Sequence, residues 1–241
     1  MHKKLKLYTF AAAVFCGLAA HAQVTLKANN KGIRYDLIKS GHQFVKVTGY
    51  DSVGKEQFQF VNYNIIKADS VNKQLIFGRS RTIPFGHEMV DTSIINFAGP
   101  IRYTMITNPN VKFLDVRYSP TVVQTHAVIK GVSSNITTPM AEGYFDDNIV
   151  EDLMGYLPIQ KGVKYQLDAY RFESENKINH FDLEYAFDDI LQDPKGGEAI
   201  CSVIRFKNGY GNGYIWINNK THENMKEVLY MKGSIVLLQA I

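Results

Sequence analysis

The residues of this sequence that could support acid–base or cation chemistry are dispersed, and the densest acidic group is Asp146, Asp147 and Glu151. Three carboxylates at this spacing could form a catalytic pair or hold a cation. They also lie in the first turns of a predicted helix, where short acidic side chains accept hydrogen bonds from free backbone N–H groups. Helix capping explains them with no further chemistry, so the sequence favours a structural role.

The other acidic residues and the histidines form no metal-binding pattern. One acidic run lacks the spacing of an EF-hand loop and lies partly on the polar face of a strand; it comprises Asp182, Glu184, Asp188 and Asp189. The histidines beyond the first segment show no i, i+4 pair and no pair of nearby cysteines; they are His42, His87, His126, His180 and His222. We therefore expect no metal ion and no cofactor.

Nucleophile and phosphate-binding motifs are equally weak. Cys201 lies in AICSVI, a strand that is apolar on both faces, where a thiol is usually a small buried hydrophobe. The glycines at Gly209, Gly211 and Gly213 precede a predicted strand, whereas a phosphate loop must open a helix. There is no G-x-S-x-G motif. We predict that the protein is not an enzyme, with a site assembled in space from distant residues as the open alternative.

The first 22 residues are predicted to be a secretory signal peptide. Basic Lys3, Lys4 and Lys6 precede an apolar run, and Ala20-His21-Ala22 fits the small-x-small cleavage site. The mature chain then begins at Gln23 and is exported, to the periplasm or the extracellular space. No apolar run reaches the roughly 18 residues that a membrane span needs, so we expect no membrane-spanning helix.

Without the signal peptide, the remaining chain is nearly neutral in charge and long enough for one domain. Removal of the signal peptide reduces 27 basic residues to 24, against 23 acidic ones. No cluster of Lys and Arg with interleaved aromatics remains, which excludes a nucleic-acid groove as the expected function. No linker or repeat divides the chain, so residues 23–241 are predicted to form a single antiparallel β domain.

Alternation of apolar and polar residues predicts many strands. In VKYQLDAYRF and HFDLEYAF one set of alternate residues is apolar and the other polar, which is typical of an antiparallel sheet with one solvated face. In EQFQFVNYNII the apolar set shifts from Phe58 and Phe60 to Val61, Tyr63 and Ile65. A β-bulge would explain this change of parity.

One amphipathic helix is predicted between Gly143 and Leu157. Ile149, Leu153 and Leu157 recur at a spacing of four and form one apolar stripe. Asn148 with Glu151 fits a capping-box spacing, and Pro158 ends the helix. A lone amphipathic helix needs an apolar surface, which in this chain is the sheet.

Order and spacing of several residues after position 100 give a family resemblance. The pattern begins with F-D, continues with L-P-apolar and a following glycine, and ends with a late W-I turn and a Thr. In this chain its residues are Phe145-Asp146, Leu157-Pro158-Ile159, Gly162, Trp216-Ile217-Asn218 and Thr221. Over residues 100–241 the chain resembles a family of uncharacterised exported bacterial envelope proteins, which is similar to the lipoprotein-carrier (Lol-type) half-barrels. Ile159 and Asn218 depart from the family pattern, in which Leu and Asp stand. The resemblance implies a mainly β fold, a strongly curved antiparallel half-barrel with one amphipathic helix on its concave face.

A curved sheet with one helix leaves an apolar concavity to fill. The predicted lining of a ligand groove is Tyr103, Met105, Met154, Tyr156, Leu157 and Trp216, with the helix as a lid. The predicted function is an exported, non-enzymatic envelope protein that binds a lipid or other amphiphile, with an envelope protein as a further partner. The alternative is a structural or protein-interaction module whose core is filled by its own side chains.

Overall fold

The computed structural model describes residues 23–69, 71–83, 87–108, 112–172 and 177–241, so the predicted signal peptide lies outside the described residues. Alternating segments pair into one large sheet of 16 strands. The strands are β1 Gln23–Thr25, β2 Gly41–Asp51, β3 Glu56–Asp69, β4 Gln74–Ile83, β5 His87–Asn96, β6 Gly99–Asn108, β7 Lys112–Ser119, β8 Val122–Ile129, β9 Val132–Pro139, β10 Phe145–Asp146, β11 Lys164–Arg171, β12 Lys177–Gln192, β13 Glu198–Lys207, β14 Gly211–Asn218, β15 Asn224–Met231 and β16 Ser234–Ala240. The mainly β prediction is confirmed.

Strand order follows the chain in two runs that meet at one junction. The order is β1-β11-β12-β13-β14-β15-β16-β2-β3-β4-β5-β6-β7-β8-β9, and β10 pairs beside β1 on the free side of β11. The junction joins the last strand, β16, to β2, with Ala240 opposite Val45. Hairpins dominate because adjacent strands are linked by short turns, which keeps the pairing antiparallel. The short strands β1 and β10 differ from the prediction, since each pairs with β11 in parallel.

The two ends of the strand order contact each other through side chains. Tyr170 of β11 is hydrogen-bonded to Thr125 of β8, with 2.9 Å between the hydroxyl oxygens. Its neighbour Ala169 points to the other face of β11 and belongs to a different apolar cluster. Both residues are buried, so this part of β11 is covered on both faces.

The predicted helix is present but shorter and less regular than its pattern indicates. Asp147–Ile149 and Met154–Tyr156 are 3-10 turns, and only Val150–Leu153, here α1, is α-helical. Phe145 and Asp146 pair with β11 instead of joining the helix. The helical turns therefore begin at Asp147, within the acidic first turn that the sequence predicts, because backbone pairing of the preceding residues with a strand competes with helix formation. We call Asp147–Tyr156 the helical segment.

The apolar stripe of the helical segment faces the main core. Ile149, Val150 and Leu153 are buried there with residues of β4, β11, β12 and β14. Two smaller clusters lie elsewhere: one joins β6, β7 and β8 to Tyr144 and Tyr170, and the other surrounds Cys201 and Trp216. Burial of Cys201 agrees with its predicted role as a core residue.

Strands β3, β4 and β5 change character along one face. On this face Ile66 of β3 lies opposite Phe77 of β4. Two residues further along the strands, Asn64, Arg79 and Asp91 lie side by side on β3, β4 and β5. The row after that contains Asn62 beside Arg81. The same face is therefore apolar at one level and charged one pleat further on, without any change of register.

Candidate functional site

A cavity of about 400 Å³ opens where β2, β3 and β4 meet the helical segment and the turn that precedes β15. We call it the mixed cavity because its wall has two chemical parts. Its apolar residues are Leu37, Ile65, Ile66, Phe77, Ile149 and Tyr156. Its charged end includes Arg79, Asp91 and Asp152. This size is sufficient for a small organic ligand.

A second space of about 270 Å³ lies under the helical segment and adjoins the mixed cavity. We call it the polar chamber, since its lining is rich in polar and charged residues, which include Asn62, Arg79, Arg81, Asp147, Glu151, Asp152, Arg171, Lys226 and Glu227. Both spaces have Gln43, Asn64, Arg79, Asp152 and Asn224 in their walls. The mixed cavity and the polar chamber are therefore direct neighbours.

Each arginine of the chamber pairs with a carboxylate, and two of the three carboxylates belong to the helical segment. The ion pairs are Arg79–Asp152 at 3.2 Å, Arg81–Asp91 at 3.3 Å and Arg171–Asp147 at 3.2 Å. Arg79 also donates to the backbone oxygen of Asn148 at 2.7 Å, and Asp147 accepts a hydrogen bond from Asn179 at 2.7 Å. These contacts connect the helical segment to β4 and β11.

Glu151 and Glu227 line the chamber without an arginine or lysine partner among the described residues. Burial raises the pKa of Glu151 well above its ordinary value, and the neighbouring charge of Glu227 adds to the effect. Burial likewise raises the pKa of Glu227, with the charge of Asp152 as the next cause. Two carboxylates held in this way disfavour being charged together unless a cation lies between them.

Asp146 begins the helical segment in the manner that its sequence position predicts. Its Oδ1 accepts hydrogen bonds from the backbone N of Asn148 at 3.0 Å and from the Asn148 side chain at 2.8 Å. Asp146, and not Asn148, is thus the residue whose side chain caps this segment. Burial raises the pKa of Asp146 to about 6.

The six residues predicted to line a groove lie in three separate clusters. Tyr103 and Met105 belong to the cluster of β6–β8, and Trp216 to that of Cys201. Met154, Tyr156 and Leu157 lie in the main core, and of the six only Tyr156 also lines the mixed cavity. Trp216 donates to Asp189 at 2.9 Å and lies under the ammonium of Lys226 at 4.6 Å.

The polar residues of the chamber were not predicted, although the change of apolar parity in β3 indicates them. The register places Phe60 beside Val47 and Asn62 beside Val45 with no shift between them, so Phe60, Asn62 and Asn64 share one face of β3. The shift in that pairing lies earlier, between Gly49 and Tyr50 of β2. The predicted bulge at Phe60–Val61 is therefore wrong: the apolar pattern changes parity because the inward face becomes polar there.

The turn that precedes β15 closes one side of the mixed cavity. Asn218 is buried, and its Oδ1 accepts hydrogen bonds from the backbone N of Lys220 at 2.8 Å and of Thr221 at 3.2 Å. Asn supplies this acceptor as well as the Asp of the family pattern would. Gly155 of the helical segment lies directly against the turn, since a Cβ there would be 2.0 Å from the carbonyl oxygen of His222.

The described part of the chain has neither a cluster of metal-binding side chains nor a membrane-spanning helix. Its His, Cys, Asp and Glu side chains include no group of three or more that could hold a metal ion. No helix in the described ranges has the length and apolar character to cross a membrane.

Comparison with known proteins identifies a similar fold. No protein-family model matches the chain, and no curated protein does. Among solved structures, the chain is similar to a β-barrel-like protein of the domain of unknown function DUF1849 from Brucella abortus, with 8% identity over 85% of this chain and 96% of that one and a TM-score of 0.57. It also matches the hypothetical lipoprotein YmcC from Escherichia coli, with 9% identity over 82% of this chain and 86% of that one and a TM-score of 0.35. At these identities the first likeness establishes a β-barrel-like fold alone.

Proposed function

We propose that this protein is an exported, non-enzymatic binding protein of the cell envelope that holds a small amphiphile in the mixed cavity. The observation that supports the proposal most directly is the wall of that cavity, apolar on one side and charged at one end. An amphiphile needs both surfaces, because its chain loses water against Ile66 and Phe77 while its polar end keeps ionic neighbours at Arg79.

The proposal includes an architecture that brings the two ends of the sheet together. Neighbouring strands lie about 4.8 Å apart, so a flat sheet would separate β8 and β11 by roughly 60 Å. The hydrogen bond between Thr125 and Tyr170 supports a sheet that curls back on itself, with the helical segment on its concave face. We expect residues 1–22 to be removed as a signal peptide and residues 23–241 to act as one domain.

The likeness to lipoprotein carriers belongs to the same proposal. In such a carrier a curled sheet encloses a lipid, and in this protein the mixed cavity would be the place where the lipid binds. Absence of catalytic motifs in the sequence supports a binding role over an enzymatic one. The ligand site differs from the predicted groove, since it is formed mainly by β2, β3 and β4.

The first experiment is native mass spectrometry of the protein purified from its own envelope fraction, followed by organic extraction and identification of what co-purifies. A stoichiometric amphiphile is the expected result. An empty protein that also takes up none of dodecanol, dodecanoate and dodecylamine would contradict the proposal and favour an interaction module with a self-filled core.

A pair of variants locates the ligand. Gly41 lines the mixed cavity, and a Cβ at this position meets nothing within 4 Å, so Gly41→Trp places an indole in open space. We expect at least a roughly tenfold loss of dodecanol affinity with an unchanged melting temperature. The control is Val61→Trp on the outward face of β3, where the side chain is exposed. Equal losses in the two variants would place the ligand elsewhere.

A further inference from the structure

Two of the four carboxylates that line the polar chamber have no ion pair in the part of the chain that the structure describes. Asp152 and Asp147 pair with Arg79 and Arg171, and Arg81 pairs with Asp91 beyond the chamber wall. The other two, Glu151 and Glu227, face the same space, whereas the ammonium of Lys226, which also lines it, lies over the Trp216 ring. A buried carboxyl without an ionic partner is costly to ionise, so this pair needs an explanation beyond the stability of the fold.

Burial makes the two glutamates unusual. Glu227 is only 5% exposed, and Glu151 lies on the helical segment above it. The raised pKa of each group reflects this burial and the nearness of other carboxylates. A bound cation would restore their charge and remove their repulsion.

An independent feature of the chamber is the amide of Asn62. This residue is 4% exposed and lines the chamber, yet its Oδ1 accepts no hydrogen bond. Buried amide oxygens are nearly always hydrogen-bonded, and each exception requires a reason. An acceptor left open in the same space as two carboxyl groups without ion pairs fits a ligand that brings hydrogen-bond donors.

We propose that the polar chamber binds a protonated primary amine, with Glu151, Glu227 and Asn62 as its three acceptors. An ammonium group has three N–H donors and one positive charge, which matches these acceptors better than a metal ion that requires more oxygen ligands. Described residues contain no group of three or more carboxylate, imidazole or thiol side chains placed for a metal.

This inference rests on the proposed function, because the amine is assigned as the polar end of the amphiphile in the mixed cavity. The two spaces share walls at Asn64, Arg79 and Asp152, so a chain lying against Ile66 and Phe77 leads to the chamber. The ligand class is thus a cationic amphiphile with an amino head group.

The test compares three probes with the same chain and different head groups: dodecylamine, dodecanol and dodecanoate. Their affinities for the purified protein are measured by calorimetric titration. We expect dodecylamine to bind at least about tenfold more tightly than dodecanol, the size of effect that one charge-assisted hydrogen bond produces, and dodecanoate to bind most weakly.

Matched variants assign the preference to the chamber. Glu151→Gln, Glu227→Gln and Asn62→Ala should each weaken dodecylamine binding by about tenfold or more and change dodecanol binding by less than about twofold. Glu198→Gln, an exposed carboxylate on β13, serves as the control and should leave both affinities unchanged. Melting temperatures identify any variant that fails to fold, and the two Glu→Gln variants are expected to be at least as stable as the wild type because each replaces a buried carboxyl that is costly to ionise by a neutral amide.

The outcomes separate the two proposals. Equal affinities of the three probes would overturn the amine assignment and leave the proposed function intact. A preference for dodecylamine that persists in both Glu→Gln variants would also overturn it. Failure of all three probes to bind would overturn the proposed function, and the amine assignment with it.

Discussion

At Asp146 a carboxylate is used as a helix cap in a place that water scarcely reaches. The side chain is 1% exposed, and its Oδ1 accepts two hydrogen bonds from Asn148. Hydrogen bonds to Oδ1 favour the charged form, and burial disfavours it more strongly, so the pKa rises to about 6. The fold therefore favours the protonated acid.

This raised pKa predicts how stability depends on pH. The unfolded chain releases the proton near pH 4 and the folded chain near pH 6, so the folded state holds more protons in this window and stability falls as pH rises through it. Asp146→Asn keeps the capping oxygen and removes the titration. The full shift corresponds to about 3 kcal/mol, of which the wild type should lose about 2 kcal/mol relative to the variant between pH 4 and pH 6.

Urea denaturation of both proteins at several pH values provides the measurement. Parallel stability curves for the wild type and Asp146→Asn across this range would show that Asp146 titrates normally. The comparison cancels the contributions of other carboxylates, since they are common to both proteins.

Among the elements, the helical segment is stabilised by packing and not by its own length. α1 spans only four residues, far fewer than an isolated helix needs in water. Leu153 is 1% exposed in the main core, and Arg79 holds the neighbouring Asp152. The segment therefore depends on the sheet beneath it, and the shape of both cavities depends on the segment.

Leu153→Asp tests this dependence. A carboxylate in the main core would cost about 3–5 kcal/mol of folding stability, because it loses apolar contacts and places a charge away from water. Ile190→Asp is the control at a position that is 58% exposed, with an expected loss below about 1 kcal/mol. Similar losses in thermal denaturation would mean that Leu153 does not face the core in solution.

The turn before β15 depends on one amide oxygen. Asn218→Ala removes the acceptor for the backbone N–H groups of Lys220 and Thr221 and should cost about 1–3 kcal/mol. Asn218→Asp keeps an oxygen at the same place and should cost clearly less. Chemical denaturation distinguishes the two, and an equal loss for Asp and Ala would show that the acceptor is unimportant.

At the scale of the whole molecule, contact between distant strands completes the fold. β11 and β8 lie near opposite ends of the strand order and meet at Tyr170 and Thr125. Tyr118 and Tyr144 pack beside them, with ring centroids 6.0 Å apart, and Tyr144 donates to the backbone oxygen of Ser119 at 2.7 Å. These aromatic contacts join the two ends where backbone pairing does not.

Two substitutions at Tyr170 measure that contact. Tyr170→Phe keeps the ring and should cost about 1 kcal/mol, whereas Tyr170→Ala removes a buried ring and should cost about 3–5 kcal/mol. Hydrogen exchange in Tyr170→Ala should accelerate at amides of β7 and β8 before those of β2 and β3. Uniform acceleration across the sheet would show instead that the whole domain opens as one unit.

Several local features of the fold can be predicted from the amino-acid sequence. Alternation predicted the strands around Tyr103, Leu167 and Leu183, because side chains on a strand point to opposite faces with a period of two. It also indicated that a buried apolar stripe lies between Asp146 and Pro158 and that Cys201 is a core residue. Each of these features depends on residues within a few positions of one another.

The position of the polar chamber depends on contacts between residues far apart in the sequence. Arg79 meets Asp152 across 73 positions in the chain, and Glu227 reaches the same space from β15. No local pattern specifies such contacts, because they depend on which strands become neighbours and on their register. Asn62 and Arg81 illustrate the same dependence on long-range contacts. Both are polar residues that face inward and interrupt the apolar pattern, and the sequence does not indicate which residues they will contact.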